Sequence, residues 1–239
     1  MMAKGHIAVA CEVFAVGSLL VHDLTDLAPL LVGVTVGAIF PDIDNYYSEQ
    51  QGGGAHAARI IHVMGPVSKE LSRGIATVSG GHRQATHSPV GILFEGAVLY
   101  MLCLTSPLAA IIVASFLGVC FMRGILPYRR VHGFFKGPLA IALGILLGYW
   151  LHDMSTLLIV SFVIGNFAHI LADFPCGHLP LLWPLSDKRT YVRWFVVDSS
   201  TEHAIADVIR LITIPTLVFS IMEHLPAIDA LMRSAVHVP

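Results

Sequence analysis

Residues 138–173, PLAIALGILLGYWLHDMSTLLIVSFVIGNFAHILAD, contain two apolar runs, Pro138–Trp150 and Ser155–Leu171. A short polar turn at His152 and Asp153 separates them. A helix needs about 20 apolar residues to cross a bilayer at right angles, so each run is slightly short for a perpendicular span. The stretch therefore predicts two membrane helices joined by a tight turn.

The same pattern of paired apolar runs recurs along the rest of the chain. One pair is His6–Val21 with Ala28–Phe40, a second occupies 90–122, and a single run, Ile205–Met222, comes last. Of the 239 residues, 55% are hydrophobic and only 13% are charged, about half of the charge of an ordinary soluble domain. The sequence predicts an all-α membrane protein, a polytopic bundle of about seven hydrophobic helices arranged largely as hairpins.

Length and composition also limit the domain organisation. A chain of 239 residues makes one domain or two, and we assign residues 1–222 to a single membrane-embedded domain and 223–239 to a short C-terminal tail. The low charge excludes disordered, nucleic-acid-coating and ordinary soluble proteins. The four cysteines form no CxxC pair, which argues against a cysteine zinc site or a disulfide framework.

Basic residues distinguish one side of the predicted bundle from the other. Lys and Arg occur in the linkers 45–88 and 123–137 and are absent from the tight turns 22–26, 105–107 and 152–153. Basic linkers lie on the cytoplasmic side of bacterial membranes. We therefore expect a multi-pass inner-membrane protein whose N-terminus and basic linkers are cytoplasmic.

The unusual polar residues collect at the same predicted cytoplasmic face. They are His6 at the start of the first run, Asp42 and Asp44 after the second, His82, Arg83 and His87 before the third, and His169 with Asp173 at the end of the sixth. Ionisable groups that converge at the ends of apolar helices are typical of a functional site.

The first of these motifs is Pro41-Asp42-Ile43-Asp44. If the chain is extended after Pro41, both carboxylates point to one side, because alternate residues of extended backbone share a face. They then offer two hard oxygen ligands, or one ligand and one general base. The same residues also suit an ordinary turn, and the sequence leaves both interpretations open.

His169 and Asp173 are four residues apart and share one face of a helix. An imidazole and a carboxylate at this spacing often form half of a site for zinc or another divalent ion. A hydrogen-bonded pair inside the bundle is the alternative. In either case both groups need a partner, because the surrounding stretch is apolar.

The segment Gly81–Ser88 carries His82, Arg83 and His87. Ser88 followed by Pro89 predicts a helix N-cap with proline at the first helical position, which places His87 at the membrane surface. The histidines can bind a metal or move a proton, and Arg83 suits a phosphate or an oxyanion. A basic segment that contacts lipid headgroups is the alternative.

Two acids, Glu12 and Glu95, lie inside apolar runs, about two helical turns beyond His6 and His87. We expect each to accept a hydrogen bond from a ligating histidine, as carboxylates around metal sites often do. Each can equally be a protonated or hydrogen-bonded residue of the bundle.

These motifs, together with the N-terminal Met-x-Ala-x-Gly-His and Leu179-Pro-Leu-Leu-Trp-Pro184, resemble the YdjM family. Its members are bacterial inner-membrane proteins described as metal-dependent hydrolases. The resemblance extends over about residues 1–190, although Asn45 stands where a histidine is common. It implies a divalent ion, expected to be zinc and bound singly or as a pair, with the ligands His6, Asp42, Asp44, His82, His87, His169 and Asp173.

We therefore expect a membrane-bound metal-dependent hydrolase with its site at the cytoplasmic membrane surface. Asp42 is the expected base or ligand, and Arg83 is expected to bind an anionic group of the substrate. A site at this depth suits a phospholipid or another phosphate-bearing amphiphile, and the composition argues against nucleic acid as a partner.

Two other classes of function fit the same residues. A divalent-metal or proton transporter also places histidines and acids within a helical bundle, although clustering at one face disfavours it. A catalytically silent scaffold is the other class, and the LexA-binding label of the family's namesake implies a regulatory protein as its partner.

Overall fold

The structure, a computed structural model, describes residues 3–44, 66–81, 83–125, 133–175, 177–186, 188–192, 194–196 and 199–236. The α-helices are α1 (Ala3–Ser18), α2 (Leu27–Gly37), α3 (Pro66–Val78), α4 (Pro89–Thr105), α5 (Pro107–Ile125), α6 (Gly133–Leu151), α7 (Ser155–Asp173) and α8 (Ser200–Val236). Short 3-10 helices occupy Leu24–Asp26, Phe40–Asp44, Ala85–His87 and His152–Met154, and strands β1 (His178–Leu179) and β2 (Thr190–Tyr191) pair in antiparallel fashion. The all-α prediction is confirmed for these ranges, with one small two-stranded ladder added.

Each predicted apolar run corresponds to a helix, with two differences. Helix α8 is longer than the apolar run Ile205–Met222, because it begins at Ser200 and continues to Val236, into the segment assigned to the tail. An ion pair of 2.9 Å between Arg233 and Asp229, one turn apart, lies on the surface of its last section. The amphipathic helix α3 lies in the 45–88 linker, outside the predicted helices.

Glycines hold α2 very close to α7. A Cβ atom built on Gly37 would lie 2.0 Å from the backbone oxygen of Phe162, and one built on Gly165 would lie 2.3 Å from that of Val34. Small residues at helix interfaces allow such close backbone approach, and pairs four residues apart are typical of membrane helices. The contact positions the end of α2 beside the part of α7 that carries His169.

Helices α5 and α6 form a similar pair. A Cβ atom on Gly148 would lie 2.2 Å from the Cα atom of Ser115. Because α6 packs mainly on α5, and α7 mainly on α2, the runs 138–150 and 155–171 do not form the packed hairpin that was predicted.

Polar contacts connect the first helix to the last. The Thr213 hydroxyl donates a hydrogen bond of 2.7 Å to Glu12 Oε2, and the hydroxyls of Ser18 and Ser220 lie 2.7 Å apart. Glu12 is thus a hydrogen-bonded residue of the bundle, the alternative left open by the sequence, and its support of a ligating histidine stays a prediction.

Replacing Thr213 with valine should weaken this helix pair. Interhelical hydrogen bonds in membrane proteins contribute on average about 0.6 kcal/mol and at most about 1.7 kcal/mol, so we expect a small decrease in the free energy of unfolding in detergent. Thr213→Ser keeps the hydroxyl and should behave as the wild type. Equal stability of Thr213→Val and the wild type would show that the bond contributes nothing.

Within the residues that the structure describes, two stretches are long and apolar enough to cross a membrane, Gly137–Asp173 and Ser200–Arg233. The first contains α6 and α7, and half of its apolar window is buried, against 17% for the second. Large apolar side chains face outward on α8 and α4, including Leu211 (68% exposed) and Phe94 (70% exposed). Extended exposed apolar surface is typical of a membrane or protein contact.

Candidate metal centre

The predicted site residues that the structure describes meet at one end of the bundle. His6 comes from α1, the two aspartates from the 3-10 helix after α2, His87 from the 3-10 helix before α4, and His169 and Asp173 from α7. His82 lies outside the described residues. The other polar residues that the sequence predicted to converge at one face do lie together.

His169 lies at the centre of the group and is fully buried. Its Nδ1 atom is 2.8 Å from the carbonyl oxygen of Ala38. A carbonyl only accepts hydrogen bonds, so Nδ1 carries the proton and Nε2 carries a lone pair. A backbone carbonyl that fixes the tautomer in this way is a common feature of metal-ligating histidines.

The Nε2 atom of His169 faces two carboxylates. It lies 3.8 Å from Asp42 Oδ1 and 3.9 Å from Asp173 Oδ2, too far for hydrogen bonds. It has no hydrogen-bond partner among the described residues. A buried lone pair beside two carboxylate oxygens is an arrangement that a bound cation would satisfy, so the donor set fits a divalent metal.

Two groups of ligand atoms share His169. One consists of His6, His169 and Asp173, and the other of Asp42, His87 and His169; within each group the atoms lie within 4.8 Å of one another. The His6 ring stacks on that of His169 with centroids 3.9 Å apart, and its Nε2 lies 3.3 Å from Asp173 Oδ1. Four other predicted ligands thus lie within a few ångströms of His169, namely His6, Asp42, His87 and Asp173.

Asp42 is the accessible member of these groups. Its side chain is 22% exposed, whereas those of His6, His87, His169 and Asp173 are at most 1% exposed. Burial raises the pKa of the Asp42 carboxyl, but the neighbouring His169, His87 and His6 lower it by more. The net pKa of Asp42 therefore lies below its usual value. Asp42 is therefore a carboxylate at neutral pH, at the mouth of the site.

Asp44 has different partners. It is fully buried and accepts hydrogen bonds from the Thr86 hydroxyl and, at 3.3 Å, from the backbone N–H of Arg83. The Thr86 oxygen lies 3.1 Å from His87 Nδ1. Because the Thr86 proton is donated to Asp44, the Thr86 oxygen accepts from His87, and this chain of bonds orients the imidazole.

The prediction that Asp42 and Asp44 share one side of an extended segment is wrong. Phe40–Asp44 forms a 3-10 helix, in which Asp42 faces the Nε2 atoms of His87 and His169, and Asp44 faces Thr86 and, at 3.7 Å, His87 Nδ1. The Ser72 hydroxyl of α3 donates to the Ile43 carbonyl between them. Thr86 lies within the segment Gly81–Ser88 that carries His87, but its contacts with Asp44 and His87 become apparent only in the structure.

Arg83 connects the loop to Asp173. Its Nη2 donates a hydrogen bond of 2.9 Å to Asp173 Oδ2, and the side chain remains 24% exposed. The backbone of Arg83 has φ 59°, a left-handed conformation that is unfavourable for a residue with a Cβ atom. This conformation points the Arg83 N–H at Asp44. The strained loop residue therefore donates to two aspartates, to Asp44 from its backbone and to Asp173 from its side chain.

Two further expectations concern the start of α4. Ser88 is the N-cap, as predicted, because its side chain accepts from the Gly91 N–H at 3.0 Å and Pro89 follows it. Glu95, on α4, lies within electrostatic reach of Asp44. Its support of a ligating histidine stays a prediction.

Comparison with known proteins adds the family. A family model described as YdjM inner membrane protein matches residues 1–227. No curated protein and no solved structure matches the chain. The matched region contains all of the residues of the candidate metal centre and extends beyond the resemblance noted over residues 1–190. The chain therefore belongs to the YdjM family of inner membrane proteins.

Proposed function

We propose that the protein is a membrane-bound hydrolase that uses a divalent metal ion held by the His/Asp groups around His169. The observation that carries this proposal is the buried Nε2 atom of His169, which lies beside Asp42 and Asp173 and lacks a hydrogen-bond partner among the described residues. Zinc accepts nitrogen and carboxylate ligands of this kind.

The chain's own residues limit how many ions His169 can serve. Because the Nδ1–H of His169 is donated to the Ala38 carbonyl, the neutral imidazole has one free lone pair, on Nε2, and can bind one ion. The ion is then held either with His6 and Asp173 or with Asp42 and His87. A bound divalent ion lowers the pKa of a water molecule and polarises the bond to be cleaved.

We assign the remaining polar residues from their contacts. Asp42, which is ionised and accessible, serves as a ligand or takes the proton of the attacking water. Arg83 keeps donors beyond the one bound to Asp173, and these suit an anionic group of the substrate. Asp44 orients His87 through Thr86, a role we favour over that of a ligand.

We also propose that the shorter apolar helices cross the membrane beside the two longer stretches. The outward apolar side chains of α4 and α8 then face lipid. The basic linkers support a metal centre at the cytoplasmic surface. A phosphate-bearing amphiphile can reach a site at that depth from the bilayer.

A metal-exchange assay tests the proposed activity. Detergent-purified protein is stripped with a chelator, reloaded with zinc and incubated with phosphatidic acid and related phosphate-ester lipids. We expect hydrolysis that depends on the metal and that falls about 100-fold or more in Asp42→Asn, as for loss of a general base. Asp153→Asn, at an aspartate that is 85% exposed and outside both ligand groups, is the matched control. Hydrolysis that is equal with and without metal would overturn the proposal.

Replacing Thr86 with valine should lower metal affinity without removing a ligand. The change breaks the link between Asp44 and His87, and loss of such an outer contact typically weakens metal binding by about 10–100-fold. Competition with a chromogenic chelator measures the affinity. Thr86→Ser should restore it, and an unchanged affinity in Thr86→Val would refute the orienting role.

A further inference from the structure

A cavity of about 790 Å³ lies between α3 and α4, bordered by Trp183 and Pro184. Its walls are mainly apolar and include Leu71 and Ile75 of α3 with Phe94 of α4. We call this cavity the α3–α4 groove.

One part of the groove borders a residue that contacts the metal centre. Thr86, which contacts both Asp44 and His87, lines one part of it. From there the wall follows α4 from Val90 to Leu99, a length of about 14 Å at the rise of an α-helix. The groove is therefore a mainly apolar cavity along α4, with the acid Glu95 in its wall, and it starts at a residue that contacts the candidate ligands.

The groove is also open along its side. Phe94 is 70% exposed and Val78, at the end of α3, is 88% exposed. Helix α3 is amphipathic, and Glu70 and Arg73 form an exposed ion pair on it. An amphipathic helix beside an apolar one is the arrangement expected where a bilayer surface meets its hydrocarbon, so a lipid chain can enter from the side.

We propose that the α3–α4 groove binds the hydrocarbon chain of a membrane lipid whose phosphate-bearing head lies at the His/Asp groups. As a substrate site, the groove rests on the proposed hydrolase function. The proposal narrows the substrate to amphiphiles with a long chain, because each buried methylene contributes about a fourfold gain in affinity. Short, water-soluble phosphate esters lack this contribution.

Photo-crosslinking tests the groove without any hydrolysis. Full-length protein is placed in vesicles of phosphatidylethanolamine and phosphatidylglycerol that contain a phosphatidic acid with a diazirine in its acyl chain. The labelled residues are located by mass spectrometry. Label at Phe94 or Val98 reports on the groove, and label at Leu211 on α8 reports on ordinary contact with bulk lipid.

We expect groove labelling to saturate and to be displaced by excess dodecyl phosphate, while the α8 labelling is not displaced. Gly74→Phe should reduce groove labelling about 16-fold, the effect of losing contact with two methylenes. Gly74 lines the groove, and a Cβ atom there meets nothing within 4 Å. Thr77→Phe adds the same side chain at an exposed position of α3 outside the lining and should leave the labelling unchanged.

Val98→Trp is a second filling variant on the opposite wall and should give the same loss if Gly74→Phe does not fold. Labelling that does not saturate, or that is equal in the filling variants and in Thr77→Phe, would overturn the proposal. Saturable labelling in a protein that hydrolyses no lipid would retain the groove and reject the hydrolase. Metal-dependent hydrolysis without saturable labelling would retain the hydrolase and reject the groove as its lipid site.

Discussion

Replacing His169 with alanine should abolish stoichiometric metal binding and hydrolysis together. His169 belongs to both groups of ligand atoms, so its loss leaves two candidate ligands in each. Loss of an outer contact costs about 10–100-fold in metal affinity, and loss of a ligand shared by both groups should exceed that range. Metal content after dialysis against a weak chelator, with the rate of lipid hydrolysis on the same sample, measures the effect.

The matched control is His224→Ala. His224 is also buried, at 6% exposure, but its ring nitrogens face the carbonyl oxygens of Ser220 and Val21 on α8 and after α1. This variant should keep its metal. If His169→Ala retains as much metal as His224→Ala, the ion is not held by the residues around His169.

Replacing Gly37 with alanine should strongly destabilise the fold. The added Cβ atom would lie 2.0 Å from the backbone oxygen of Phe162 and 2.9 Å from the backbone nitrogen of Asn166. Backbone atoms cannot move aside as side chains do, so α2 and α7 must separate. Overpacking of this kind costs about 1–3 kcal/mol and sometimes more, and we expect the upper part of that range. Thermal unfolding in detergent, followed by circular dichroism, measures the change.

Gly74→Ala provides the comparison, because a Cβ atom there meets nothing within 4 Å. In a helix, alanine is about 1 kcal/mol more favourable than glycine, so this variant should be as stable as the wild type or more stable. Gly37→Ala should also weaken metal binding, since Ala38, the next residue, orients His169. Equal melting temperatures for the two variants would show that the α2–α7 contact tolerates separation.

Local patterns in the sequence predicted the elements that depend on neighbouring residues. Apolar runs gave the helices, Ser88 followed by Pro89 gave the start of α4, and the spacing of His169 and Asp173 placed both on one face of α7. Each of these features is set within a few residues of the chain, which is why one sequence sufficed.

Features that depend on distant contacts were not predicted. The separation of Asp42 from Asp44 depends on a 3-10 helix that Ser72 of α3 contacts, and the orientation of His87 depends on Thr86 and Asp44. Gly33 and Gly37, four residues apart, did carry a signal for close helix packing. The partner helix, α7, could not be read from that spacing alone.

X-ray absorption at the zinc edge, on purified protein reloaded with zinc, tests the metal centre most directly. We predict about one tightly bound ion per chain, with nitrogen and oxygen ligands at about 2.0–2.2 Å and the outer scattering of imidazole rings. These features should be lost in His169→Ala. Protein that takes up no zinc, or a spectrum dominated by sulfur at about 2.3 Å, would contradict a His/Asp centre around His169.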